Sequence, residues 1–194
     1  MQLSRDQVVE AALNIVQESG LESLSMRRLS RQLGVSTMAP YYYVADKNGL
    51  IELVVEAVLS EVVVPGPEAG PWDVRLRLLI DAIDAELRGH PGIGEVLLAG
   101  ILSAHRELLD AVMELLFEAG FGGRDVLLAY AVLHTYLFGR HKVTMASLQL
   151  PVDREGAPDW MAEHLAEVTG RDFYAFGVET IIAGFKAKLA AHPG

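Results

Sequence analysis

Within Ser25–Lys47, SMRRLSRQLGVSTMAPYYYVADK, stand Arg27, Arg28, Arg31 and Lys47, and the run Tyr41, Tyr42, Tyr43. Arginine donates paired hydrogen bonds to a phosphate or to a guanine edge, and lysine supplies a point charge. Tyrosine offers a hydroxyl to phosphate and a flat face to a sugar. Between the arginines and the tyrosines lie Ser36, Thr37, Met38 and Ala39, which are small or flexible enough to let backbone approach a ligand closely. Thr37 can hydrogen-bond a base edge, and Met38 and Ala39 can touch a thymine methyl. Ser25 and Met26 open the same segment. These residue types grip a polyanion; they do not break bonds.

The charge distribution limits where such a grip can occur. The 194-residue chain has a net charge of −10, from 16 Lys and Arg against 26 Asp and Glu. Residues 1–50 hold equal numbers of acids and bases, so the acidic surplus falls after residue 50. An acidic body with one locally basic end excludes nucleic-acid binding over the whole surface and suits contact at that end.

The histidines suggest a different chemistry. His134 and His141 share one face of a helix, but two turns separate them by ~10.5 Å, too far to hold one metal ion. His134, among apolar neighbours, is therefore a candidate hydrogen-bonding group in a pocket, while His90 and His105 suit loop or surface roles. No paired-carboxylate or Ser–His–Asp spacing stands out, and no glycine-rich phosphate loop occurs. No catalytic residue, metal site or cofactor is assigned. The absence of cysteine removes disulfides and thiolate ligands and fits a cytoplasmic protein. No apolar run reaches the ~18–20 residues of a membrane span, and the N-terminus has no basic stretch leading into an apolar one, so no membrane partner or leader is expected.

Helices must position these groups. Ser4 and Gln7 form a capping-box pattern before Val9, Leu13 and Val16, and Gly20 ends that helix. Ser25 caps a second helix with Met26, Leu29 and Leu33 inward, and Gly34 stops it. Ser36 caps a short third helix. Pro40, about four positions in, predicts a tight, partly 3₁₀ start, because a mid-helix proline costs ~3 kcal/mol. Asp46 caps a fourth helix that runs to about Val62. The Pro- and Gly-rich stretch 63–70 marks a boundary. Helices are then expected over 72–88, 91–100, 102–119, 124–148, 159–168 and 172–191, with a loop over 151–158. No strand alternation or internal repeat occurs. The fold class is all-α, with about nine or ten helices. The domains are 1–62, including the linking helix 46–62, and 71–194.

A helix, a turn with glycine and a short second helix form the helix-turn-helix pattern, which places a helix in the major groove. The words VVEAALNIVQESGLESLSMRRLSRQLGVS and YYYVADKNGL resemble the DNA-binding domain of the TetR family of bacterial regulators, over about residues 4–60. The resemblance implies a homodimer on double-stranded operator DNA, most often a repressor, with a C-terminal helical domain for ligand binding and dimerisation. By position it implies DNA contacts at Ser25, Arg27, Thr37, Met38, Ala39, Tyr41, Tyr42, Tyr43 and Lys47. Pro40 departs from the pattern, where the family usually has an apolar helix former.

The second half resembles the tetracycline-repressor branch less closely, through EAGFGGRDVLLAYAVLHTYLFG and FYAFGVETIIAGFKAKL. The positions that hold tetracycline and magnesium in that branch fall on Val63, Leu79, Val96 and Val112, none of which can bind a metal or donate from its side chain. The expectation is an apolar pocket, completed by Ile83, Tyr130, His134 and Phe138, for a small hydrophobic or aromatic effector. The same valines and leucine fit a second arrangement, in which they are core and fill the pocket. Leu127, Val132, Tyr136, Phe176, Ile181 and Phe185 are the expected dimer contacts. Competing functions are a transcriptional activator, a ligand-independent regulator, and a helical carrier or enzyme with a vestigial helix-turn-helix; the last would have no reason to keep the arginine–tyrosine–lysine set.

Overall fold

The computed structural model describes residues 3–99, 105–147 and 169–191, with the single positions Pro158, Trp160 and His164. The expected loop over 151–158 and helix over 159–168 fall almost wholly outside these residues. The described elements are α1 Arg5–Ser19, α2 Met26–Leu33, α3 Lys47–Ser60, α4 Trp72–Gly89, α5 Ile93–Ala99, α6 Arg106–Glu118, α7 Gly123–Ser147 and α8 Gly170–Ala191. Short 3₁₀ turns occupy Leu21–Ser23, Ala39–Tyr42 and Pro67–Ala69, and no strand occurs among the described residues. None of the described helices is long and apolar enough to cross a membrane.

Local sequence explains the first elements. The Gln7 backbone N–H donates to Ser4 Oγ at 3.2 Å, and the Ser4 N–H donates to Gln7 Oε1 at 3.0 Å, which closes the capping box. Val8, Ala11, Ala12, Ile15 and Val16 then recur at helical spacing and are buried. Ser25 caps α2 by accepting from the Arg28 N–H at 3.2 Å. Gly34 ends it in the left-handed region, at φ 67°, where a Cβ would be strained. Asp46 caps α3 by accepting from the Gly49 N–H at 2.9 Å. Each such cap contributes ~1 kcal/mol.

α3 is buried on more than one side, through Leu50, Leu53, Val54, Val55, Val58 and Leu59. It packs against α1 on one side and α4 on the other. The apolar core is therefore continuous from Val8 to Phe185 and passes through α3. One backbone bond and one side-chain contact reinforce this junction. The Leu21 N–H donates to the Pro91 carbonyl at 3.3 Å. Gln17 Nε2 lies 3.1 Å from His90 Nε2, and His90 Nδ1 lies 2.9 Å from the Glu86 carbonyl. Both distances are satisfied when His90 carries its proton on Nδ1, donates to Glu86 and accepts from the Gln17 amide.

α7 is the centre of the second half, in contact with α5, α6 and α8. Burying each Leu, Val or Phe along it contributes about 1.5–3 kcal/mol. Gly177 on α8 is required by close approach, since a Cβ there would lie 1.9 Å from the Tyr136 hydroxyl oxygen. That hydroxyl donates to the Phe173 carbonyl at 2.6 Å and ties α7 to α8.

Candidate nucleic-acid interface and effector cavity

The segment between α2 and α3 differs from the expected short α-helix. After a turn at Thr37 and Met38 it forms only the 3₁₀ helix Ala39–Tyr42, with Pro40 in its first turn. Proline lacks the N–H that an α-helix would use there, so the chain winds more tightly. At three residues per turn, side chains three apart eclipse. Pro40 is buried and Tyr43 half-buried on one line, while Met38 with Tyr41, and Ala39 with Tyr42, follow the other two. Met38 is 65 % exposed and Tyr42 is 89 % exposed.

The expected DNA-contacting residues thus divide into two groups. Arg27, Ser36, Thr37, Met38, Tyr41, Tyr42 and Lys47 are exposed, and Ser25 and Ala39 are half-exposed. Two expectations are corrected. Met26 is buried in the core, on the same side of α2 as Leu29, and has no free face. Tyr43 is half-buried and its hydroxyl donates to the Leu3 carbonyl, so it braces the segment from behind. Arg28 also turns back, donating to Ser19 Oγ at 2.8 Å. At the start of α3, the first-turn N–H groups of Lys47 and Asn48 have no intrahelical acceptor, which suits an anion.

A small apolar cavity of about 40 Å³ lies between α3, α4, α6 and α7. Ile83, Val112, Tyr130, His134 and Phe138 line it together. Three assigned positions do not. Val63 is 79 % exposed in the turn after α3, Leu79 is fully buried core, and Val96 lies in a separate groove with Lys47 and Ile51. Val63 follows the end of α3 at Ser60, in the turn that leads through 63–70, and points outward there. Leu59 of α3 lines the cavity instead; the sequence shows it only as one of six apolar positions on α3.

Tyr130, His134 and Phe138 stand at successive helical turns. The His134 ring centroid is 5.7 Å from that of Tyr130 and 4.7 Å from that of Phe138, edge-on to the latter. Burial pushes the His134 pKa below its ordinary value, with the Leu97 carbonyl opposing it, so the ring is neutral at pH 7. Burial likewise raises the Tyr130 pKa. His141 lies on α7, but its side chain is outside the described residues.

A larger, polar cavity of about 860 Å³ opens between α4, α5, α7 and α8, lined by Arg77, Asp81, Asp84, Arg88, Arg140 and Tyr174 among others. Within it Arg77 pairs with Asp81 at 2.9 Å, and buried Asp84 bridges Arg88 and Arg140. The Tyr174 hydroxyl donates to Asp81, and burial with that carboxylate raises its pKa strongly. The only sequence signal for this site is the four-residue spacing of Arg77 with Asp81 and of Asp84 with Arg88.

Of the expected dimer residues, Leu127, Val132 and Phe176 are exposed, and Ile181 is half-buried. Phe185 is buried against Phe121, at 5.5 Å and nearly perpendicular, and Tyr136 serves the α7–α8 contact just described. Both therefore hold the protomer together. Leu128 and Phe173, outside the expected dimer set, are 50 % and 44 % exposed on the same two helices.

A helix-turn-helix head joined through one shared helix to an all-α body is the architecture of a DNA-binding transcriptional regulator. The chain is 31% identical over 166 residues to an HTH-type transcriptional regulator of Saccharopolyspora erythraea, covering 84% of this chain and 69% of that protein. It is 26% identical to the class D tetracycline repressor protein of Escherichia coli, over 97% of this chain and 92% of the repressor. The crystal structure of the Streptomyces coelicolor TetR family protein ActR in complex with (S)-DNPA matches with a TM-score of 0.80 at 24% identity, over 97% of this chain and 99% of that one. A scan against protein-family models finds no match. The chain belongs to the TetR family of transcriptional regulators.

Proposed function

We propose that this protein is a homodimeric, non-catalytic repressor of the cytoplasm, released from double-stranded operator DNA by a small, largely apolar effector. The observation that carries this reading is that Arg27, Thr37, Met38, Tyr41, Tyr42 and Lys47, all within one 21-residue stretch, are exposed, while Met26, Arg28 and Tyr43 beside them are committed inward. The head, residues 1–62, grips DNA, and residues 71–194 hold the effector and the partner. Thr37 and Met38 meet base edges, while Tyr41, Tyr42, Lys47 and the start of α3 meet phosphates.

α3 couples the two functions. Its N-terminus carries Lys47 and its C-terminal turn carries Leu59, a wall of the apolar cavity. A rigid helix of 14 residues spans ~20 Å, so a molecule that enlarges the cavity displaces the DNA-facing end directly. In a dimer this changes the spacing of two reading segments that must meet grooves ~34–36 Å apart. Coupling of ~1–3 kcal/mol lowers operator affinity about 5–150-fold. The exposed Leu127, Leu128, Val132, Phe173 and Phe176 supply the apolar surface for the partner. The relatives support the reading, since the class D protein is a tetracycline repressor and ActR has been crystallised in complex with (S)-DNPA. A gel shift with DNA from the adjacent promoter, at two salt concentrations, tests it: a specific, salt-weakened complex is expected, and none with any local operator refutes it.

A further inference from the structure

The effector cavity contains one anomaly. Its described lining is aliphatic and aromatic except for Tyr130 and His134. His134 is only 3 % exposed, and although the Leu97 carbonyl faces the ring, neither ring nitrogen reaches a partner in hydrogen-bond geometry. A buried polar group left without a partner costs about 1–3 kcal/mol. A chain that needed only packing at this place could use leucine or phenylalanine at no such cost. The imidazole is held edge-on against Phe138 and tilted against Tyr130, which fixes its plane without satisfying its nitrogens.

We infer that His134 is the specificity-determining contact of the effector site, and that the effector is a flat aromatic molecule bearing a hydroxyl that hydrogen-bonds the imidazole. This rests on the cavity being the effector site. The ring, being neutral, presents one acceptor nitrogen and one N–H, so a phenolic or enolic hydroxyl, which both donates and accepts, pairs with either. A cation is disfavoured, because the described lining supplies no carboxylate. The cavity holds little free volume at rest, so the ligand must part α3 from α7. The fused rings wedge against Leu59 and Val112 while the hydroxyl anchors one edge at His134. The anchor sets which aromatic molecules act, and the wedge sets how far α3 moves.

The probe pair is 2-naphthol and naphthalene, titrated by calorimetry into the full-length protein and into His134→Phe. Wild type is expected to bind 2-naphthol about 5–10-fold more tightly than naphthalene, the worth of one net hydrogen bond of about 1–1.5 kcal/mol. His134→Phe is expected to bind the two alike. Long-range ¹H–¹⁵N spectra of the unmodified protein give a readout that does not depend on the variant folding: 2-naphthol should shift the His134 ring nitrogens and naphthalene should not. Equal affinities in wild type, or a preference that survives in His134→Phe, overturn the inference and leave the cavity as the binding site. Failure of wild type to bind either probe overturns the cavity assignment as well.

Discussion

The DNA-facing segment and the effector cavity solve opposite problems with polar side chains. In the head, Arg27, Thr37, Tyr42 and Lys47 are left uncommitted at the surface, where water satisfies them and the free state costs little. In the cavity, His134 is left uncommitted in the interior, where no partner reaches hydrogen-bond geometry. The first arrangement gives affinity that competes with solvent and salt. The second gives selectivity, because only a ligand with a complementary group relieves the cost. Between them runs α3, capped by Asp46 at one end and bearing Leu59 at the other.

Removing groups on the exposed side should have the largest effect on DNA. Arg27→Ala or Tyr42→Ala should each weaken operator binding by about 1–3 kcal/mol, read by fluorescence anisotropy. Neither should change the unfolding free energy in denaturant by more than about 0.5 kcal/mol, or dissociate the dimer. On the buried side, Val112→Asp should abolish release by the effector and keep operator binding, provided the urea profile shows the variant folded. Unchanged release would move the pocket elsewhere. Gly177→Ala should destabilise the fold by about 1–3 kcal/mol in denaturant, since its Cβ collides with the Tyr136 hydroxyl.

Tyr42 and Tyr43 sharpen the contrast within a single run. Tyr43→Phe should cost about 1 kcal/mol of stability, through loss of its bond to the Leu3 carbonyl, with operator affinity little changed. Tyr42→Phe should do the reverse. The smallest effect concerns pH. The pKa of His134 is depressed in the folded state, so the unfolded chain binds more protons as pH falls below its ordinary value of about 6.5. Wild type should therefore lose stability relative to His134→Phe as pH drops from 7 to 5, in paired urea titrations. A constant difference would show that the ring is not desolvated.

Much of the head was legible in sequence, because caps, glycine stops and helical periodicity are local. Ser4, Ser25, Gly34 and Asp46 all act where their spacing places them. The direction of Tyr43 was not legible, since it depends on the 3₁₀ winding that Pro40 imposes and on a partner 40 positions earlier. The cavity was legible only in part. Ile83, Val112, Tyr130, His134 and Phe138 meet as expected, but Leu59 enters from α3, and Val63 and Val96 leave, because helix crossing angles and turns are set by tertiary packing. Phe185 shows the same limit: an apolar position on a long helix can face the core or a partner, and periodicity does not distinguish them.

The central claim is that the exposed segment carries the DNA contact, and the salt dependence of operator affinity tests it most directly. The slope of log affinity against log salt should fall by about 1 for each phosphate contact removed. Lys47→Ala removes one such contact from each protomer and should lower it by about 2 for the dimer, whereas Arg106→Ala, an exposed cation on α6, should leave it unchanged. Equal slopes for wild type and Lys47→Ala would contradict the account.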